Sequence, residues 1–223
     1  MTKTFPTSAR IVVIGGGAIG TSIAYHLAKS GEKDVVLFEK TRLTEGATWH
    51  AAGLVGQFRS QQNLMTLMND SVRLFDGLAA DTGQETGWRK VGSMRVASTQ
   101  DRWQELLKSH SSARAVGFGM EILTPSEAKE LYPLMQVDDL IGAAFIPEDG
   151  HVDPYSVTQA YAKGIRKYGG RLIEQVMVTD LVRDGARVTH IVTDHGTIVA
   201  DIVVNAAGLW ARQLGWMACA KVG

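Results

Sequence analysis

The run RIVVIGGGAIG, from Arg10 to Gly20, constrains this chain more than any other stretch. RIVVIG is a short apolar run of β-branched residues and reads as a buried parallel strand. TSIAYHLAKSG reads as a helix that stops at Gly31, and DVVLFEK, Asp34 to Lys40, as a second buried strand. Strand, glycine turn, helix and strand make one βαβ unit. Gly15, Gly17 and Gly20 match G-x-G-x-x-G in the context that gives the motif meaning. Gly15 permits the tight turn, Gly17 leaves room for a pyrophosphate, and Gly20 lets the helix pack close to the strand. The helix N-terminus offers backbone N–H groups and a partial positive charge. Ala18 and Ile19 lie there, so their amides are expected to face phosphate. Glu39 ends the second strand, nineteen residues after Gly20. A carboxylate there accepts hydrogen bonds from ribose hydroxyls and repels a 2′-phosphate, which disfavours NADP.

The glycine fingerprint alone does not separate NAD from FAD. The residues after Glu39 do more. Lys40 to Gly56 reads as a loop and a small-residue helix start, GATWHAAGLVG, where many NAD dehydrogenases continue with further βα units. Small residues let backbone approach a flat, extended ligand. This strip therefore reads as a second contact surface for FAD.

Downstream, Asn63 to Ala79 reads as an amphipathic helix with Leu64, Leu67, Met68, Val72, Phe75 and Leu78 on one face. Gly92 to Ser98 reads as a strand, and Asp101 to Val116 as a helix. Thr124 is a candidate N-cap, with Pro125 at the first helical position and Glu127 completing a capping box. GAAFIP is another strand, and Ser156 to Tyr168 another helix. RLIEQ, VMVTDLVRD, RVTHIVTD and TIVADIVVNAAG then read as strands, with turns at Asp184–Ala186 and Asp194–Gly196 and a buried last strand. Asp153 and Pro154 fit a helix start better than a substrate contact. The order predicts an α/β fold: a Rossmann-like βαβ domain interrupted by a smaller α+β substrate-side region. The expected division is 1–85 and 151–215 for the nucleotide domain, 86–150 for the insertion and 216–223 for a truncated tail.

Composition sets outer bounds. The 223 residues carry 23 basic and 23 acidic side chains, a formal net charge of zero, which argues against nucleic acid or an anionic membrane as partner. The lone Cys219 cannot form an internal disulfide, so a reducing compartment is expected. No apolar run has spanning length, and MTKTFPTSAR resembles neither a secretory signal nor a transit peptide. No metal is expected.

On VVIGGGAIGTSIAYHLAKSG, VVLFEK, LTEGATWHAAGLVG, EDGHVDPYSVTQAYAKGIRKYGG and DIVVNAAGLWARQLG, the chain resembles the flavin-dependent dimethylglycine and sarcosine dehydrogenases, within the D-amino-acid-oxidase-like group. The likeness runs from about Arg10 to Gly215, and TWHAAGL is its most specific string. It implies FAD carried covalently through His50, with Trp49 near the ring system. Taken alone, His50 would read as a capping or core histidine. An imidazole nitrogen is a competent nucleophile toward an electron-poor flavin methyl position. The resemblance also implies that Ala18, Ile19, Glu39, Lys40 and Gly46, Ala47, Thr48, Trp49, His50, Ala51, Ala52, Gly53 and Leu54 line the FAD. It places Val178 at the adenine edge and Trp210 at the turn after the last strand. Val178 reads equally as core, and Trp210 as packing beneath the sheet.

The implied reaction oxidises the C–N bond of a small N-methylated amine, sarcosine or dimethylglycine, with an electron-transfer flavoprotein or similar acceptor. The implied location is the cytoplasm, or the mitochondrial matrix in a eukaryote. Family members are several times longer, so the resemblance implies a truncated nucleotide domain without a nameable catalytic acid or base. His151 and Arg59 are read as surface or cofactor-side residues. A non-catalytic FAD-binding fragment, or a related oxidoreductase acting on an amino or hydroxy acid, stays open.

Overall fold

The structure, a computed structural model, describes residues 5–59 and 61–220. The chain begins with β1 (Ser8–Ile14), α1 (Ala18–Lys29), β2 (Val35–Phe38), a 3-10 turn (Thr48–His50), β3 (Leu54–Val55) and α2 (Gln62–Thr82). Next come β4 (Arg89–Lys90), β5 (Ser93–Ala97), α3 (Gln100–Ala115), β6 (Glu121–Leu123), α4 (Pro125–Leu131), β7 (Gly142–Ile146) and β8 (Gly150–His151). The last third holds α5 (Pro154–Lys167), β9 (Arg171–Ile173), β10 (Val178–Asp184), β11 (Arg187–Thr193), β12 (Gly196–Asn205), a second 3-10 turn (Gly208–Trp210) and α6 (Ala211–Met217). Contacts divide the chain into one unit of Met1–Ala52, Leu78–Thr86 and Asp153–Gly223, and another of Gly53–Gly77 and Gly87–Val152.

The first unit is built on a six-stranded sheet in the order β10-β11-β12-β1-β2-β9. β1 pairs parallel with β12 and β2, and β2 parallel with β9. β10, β11 and β12 form an antiparallel meander. Val12, Val13, Val35, Val36 and Leu37 are fully buried, as expected for strands at the centre of a parallel sheet. Helix α1 packs against α5, where Gly164 meets the ring of Tyr25: a Cβ on Gly164 would lie 2.5 Å from Tyr25 Cδ2. α5 starts as its sequence indicates, with Asp153 as N-cap accepting from the Ser156 N–H and Pro154 at the first turn.

The expectation of a buried last strand is corrected. Only Ile198 and Ala200 of β12 are buried, while Val199 and Ile202 are 47% and 46% exposed. β11 pairs with β12 no further than Val199. Beyond it, β12 has a partner only on its β1 side among the described residues.

The second unit holds two three-stranded antiparallel sheets, β3-β8-β4 and β5-β7-β6. Phe58, Met65, Leu106, Ala144 and Ile146 form its core. The Thr124–Glu127 capping box at α4 is present in full. Buried Asp149 organises one corner, accepting from the Gln57 N–H at 2.8 Å and the Ser93 hydroxyl at 2.5 Å. His151 is half-buried in β8, and exposed Arg59 donates to its neighbour's carbonyl, Phe58 O.

Candidate functional site: a cleft at the carboxyl end of the parallel strands

Parallel pairing in register brings three strand ends level. Ile14, the last residue of β1, lies opposite Asn205 on one side and Phe38 on the other. Gly15, Ala206 and Glu39 therefore leave the sheet together. Between them opens a cleft of about 820 Å³. Ligands of α/β sheets bind in this position, outside the carboxyl ends of the strands.

The glycine turn forms the floor. Gly15 has φ +117°, and a Cβ there would stand 2.3 Å from Ala206 O. Both the backbone conformation and the close approach demand glycine. A Cβ on Gly20 would stand 1.9 Å from Gly15 O, so α1 can begin tight on β1 only if that side chain is absent. Gly20 therefore works beneath the cleft and does not line it. Gly17 is the N-cap of α1 and supplies no side-chain cap, and the first turn holds no acidic residue. The helix end thus presents its positive pole without an acidic residue of its own. Ile19 stands 70% exposed at this end.

Ala18 departs from expectation. Its N–H donates to the Thr48 hydroxyl at 3.1 Å, so it is already engaged inside the protein. Gly17 makes this possible, since a Cβ there would come within 3.0 Å of Thr48 Oγ1. The cap that Gly17 lacks is supplied from thirty residues away.

Glu39 is held rather than free. Its Oε2 accepts from the Gly16 N–H at 2.7 Å, and its Oε1 from the Thr41 N–H at 2.9 Å and the Thr41 hydroxyl at 3.1 Å. A carboxylate offers about four acceptor directions, so about one remains for a hydroxyl in the cleft. Two non-glycine residues with positive φ flank this wall, Thr44 at 74° and Gln175 at 61°. A β-branched residue such as Thr44 pays strain for that conformation. It is buried, and its N–H donates to Gly16 O at 3.2 Å.

Among the residues expected at the cofactor, Gly15, Gly17, Ala18, Ile19, Glu39, Lys40, Gly46, Ala47, Thr48, Val178 and Trp210 line the cleft. Trp49, His50, Ala51 and Ala52 do not; all four are exposed. Gly53 and Leu54 belong to the second unit. The expected helix start is a single 3-10 turn, Thr48–His50, followed by the short strand β3. The Trp49 and His50 rings lie 4.1 Å apart, and His50 Nδ1 is 3.3 Å from Gly46 O. A carbonyl only accepts, so in the neutral ring Nδ1 carries the hydrogen and Nε2 the free lone pair. Gly16 and Val176 were not expected as cleft walls; the turn after NAAG was expected at the cofactor through Trp210 alone, and Ala206, Ala207, Gly208 and Leu209 line the cleft with it.

A glycine-turn cleft on a parallel sheet, with an acid closing the second strand, defines a dinucleotide-binding α/β protein. The family model described as DAO, FAD dependent oxidoreductase, matches residues 10–222, and the chain belongs to that family. It is 43% identical to rat mitochondrial dimethylglycine dehydrogenase over 94% of its own length and 24% of that protein's. It is 40% identical to human mitochondrial sarcosine dehydrogenase over 99% of its length and 25% of that protein's. The chain thus spans about a quarter of these relatives. L-proline dehydrogenase from P. horikoshii superposes with a TM-score of 0.92 at 30% identity, covering 98% of this chain and 58% of the other.

Proposed function

We propose that this chain is the FAD-holding part of an oxidoreductase that breaks a C–H bond beside nitrogen in a small N-methylated amine of the dimethylglycine or sarcosine type. The observation that carries the reading is the cleft above the level ends of β12, β1 and β2, in a chain similar to dehydrogenases of those two amines. The residues fit the group. Gly15 and Gly17 leave the backbone bare where a pyrophosphate needs close approach. The α1 N-terminus faces it with positive potential. Glu39 keeps an acceptor for a ribose hydroxyl, and the Val176–Val178 strand start borders the adenine end. When bound, FAD supplies the redox chemistry by taking a hydride equivalent from the carbon beside the substrate nitrogen.

His50 is the proposed covalent attachment point. It lies two residues beyond Thr48 of the cleft wall, its ring is exposed, and Nε2 is the nitrogen with the available lone pair. An electron-transfer flavoprotein or a similar acceptor would reoxidise the flavin, and no membrane or nucleic acid takes part. The cytoplasm, or the matrix of a mitochondrion, is the proposed location; similarity to the mitochondrial dimethylglycine and sarcosine dehydrogenases supports the latter for a eukaryote.

Two experiments test these assignments. Acid-precipitated wild-type protein should retain yellow flavin on the polypeptide, and His50→Ala should release it. Flavin released equally from both would remove His50 as the linkage while leaving FAD binding intact. Anaerobic addition of dimethylglycine or sarcosine should bleach the bound flavin. Bleaching by proline instead would favour a second reading, an amino-acid dehydrogenase, which the likeness to L-proline dehydrogenase supports. Bound flavin that no substrate bleaches would limit this chain to cofactor binding.

A further inference from the structure

Lys40 and Trp210 touch across the cleft. Lys40 Nζ lies 3.1 Å from the centroid of the Trp210 ring. Lys40 follows the end of β2, and Trp210 ends the turn that follows β12. β1 lies between those two strands in the sheet. The contact therefore spans the carboxyl end of β1, where the glycine turn receives a dinucleotide. Lys40 is the only Lys, Arg or His among the described residues that line the cleft, and it is placed on an indole face. A cation over tryptophan is attracted by the ring quadrupole, and tryptophan is the strongest partner for it. Gly46 lies beside the ring, where an added Cβ would be in ordinary contact with Trp210 Cζ3 at 3.9 Å.

We propose that Lys40 and Trp210 form a kinetic clasp, closed across the cleft both with and without the dinucleotide, which must part for the ligand to enter or leave. The proposal rests on the reading of the cleft as an FAD site. The cleft has its volume of about 820 Å³ with the pair in contact, so occupancy does not require the contact to break. That volume falls inside the range of about 300–1,000 Å³ usual for small-molecule sites. A contact present in both end states cancels from the binding equilibrium. It contributes only to the barrier between them. The contact's own contribution, isolated by a double-mutant cycle, therefore slows entry and release equally and vanishes from Kd. A residue that simply touched the ligand would change Kd through its dissociation rate.

The test uses the full 223-residue chain and ADP, the diphosphate half of FAD, which cannot become attached to His50. Stopped-flow tryptophan fluorescence gives both rate constants. Lys40→Met should raise association and dissociation rates about 3- to 20-fold more in the wild-type than in the Trp210→Leu background, the span expected for losing one cation–π contact. Lys40→Arg, which keeps a cation on the ring, should stay near wild type. The cycle removes what each side chain does toward the ligand by itself, so the same coupling appears in both rates and none in Kd. No coupling in either rate, or a coupling that appears in Kd, would overturn the clasp while leaving the FAD reading standing. Failure of folded wild-type chain to bind either ADP or FAD would remove the FAD reading and the clasp with it.

Discussion

Gly20 and Glu39 show how single residues set the geometry of the cleft. An added methyl at Gly20 meets the Gly15 carbonyl of the glycine turn at 1.9 Å, and that turn is pinned where the Gly15 N–H donates to Phe38 O at 2.8 Å. Gly20→Ala should therefore cost about 1–3 kcal/mol, the usual range for overpacking, read as a lower midpoint in urea unfolding. An unchanged midpoint would mean that α1 tolerates a shift away from β1. Glu39 holds the turn and offers an acceptor at once. Glu39→Ala should weaken FAD binding about 10- to 100-fold, as expected for losing hydrogen bonds to a charged group, while the chain stays folded. Equal affinity in a titration would take Glu39 out of the site. Much of this was legible in the sequence, because glycine spacing and a terminal acid are local signals. What was not legible depends on distant partners. Thr48 caps α1 across thirty residues, and Lys40 meets Trp210 across far more.

Elements are held together in the first unit by a polar hub as well as by the sheet. Asp81, near the end of α2, accepts from Lys167 at 2.9 Å, Tyr168 at 2.5 Å, Tyr25 at 2.5 Å and Lys29 at 2.9 Å. These partners, Lys167 first, hold its carboxyl well below the usual carboxylate range. Lys29 is pushed above its ordinary value, chiefly by its bond to the Tyr25 hydroxyl and then by Asp81. A depressed carboxylate stabilises the fold above its unfolded pKa of about 3.9, and that stability is lost as pH falls toward the folded value. Asp81→Asn should therefore destabilise at pH 7 by about 1–2 kcal/mol, a figure kept small because both lysines are half exposed and screened. The gap to wild type should shrink at pH 3. Equal destabilisation at both pH values would deny the hub its charge.

The long elements were readable because burial imposes a period. β1, β2 and α5 followed from apolar runs, β-branched residues and caps. The strands β3, β4 and β8 are two residues each, too short to carry any period, and exist because Leu54 and Arg89 both pair with His151. In α2 the expected stripe holds at Val72 and Leu78, which are buried, but not at Leu64 and Leu67, which are exposed; Met65, two turns before Val72, takes the buried side there. α6 gave no start signal, since Trp210 supplies no side-chain cap.

At the scale of the whole molecule, the family and the cleft belong to the same unit of the chain. Residues 10–222 match an FAD-dependent oxidoreductase family, and every cleft residue falls in the unit built on the six-stranded sheet. The central claim is that this unit holds FAD. The most direct measurement is titration of the folded 223-residue chain with FAD, followed by visible absorbance of the acid-precipitated polypeptide. Saturation at one FAD per chain, with the colour retained on the precipitate, is the predicted result. A chain that is folded by circular dichroism yet takes up no FAD would contradict the account.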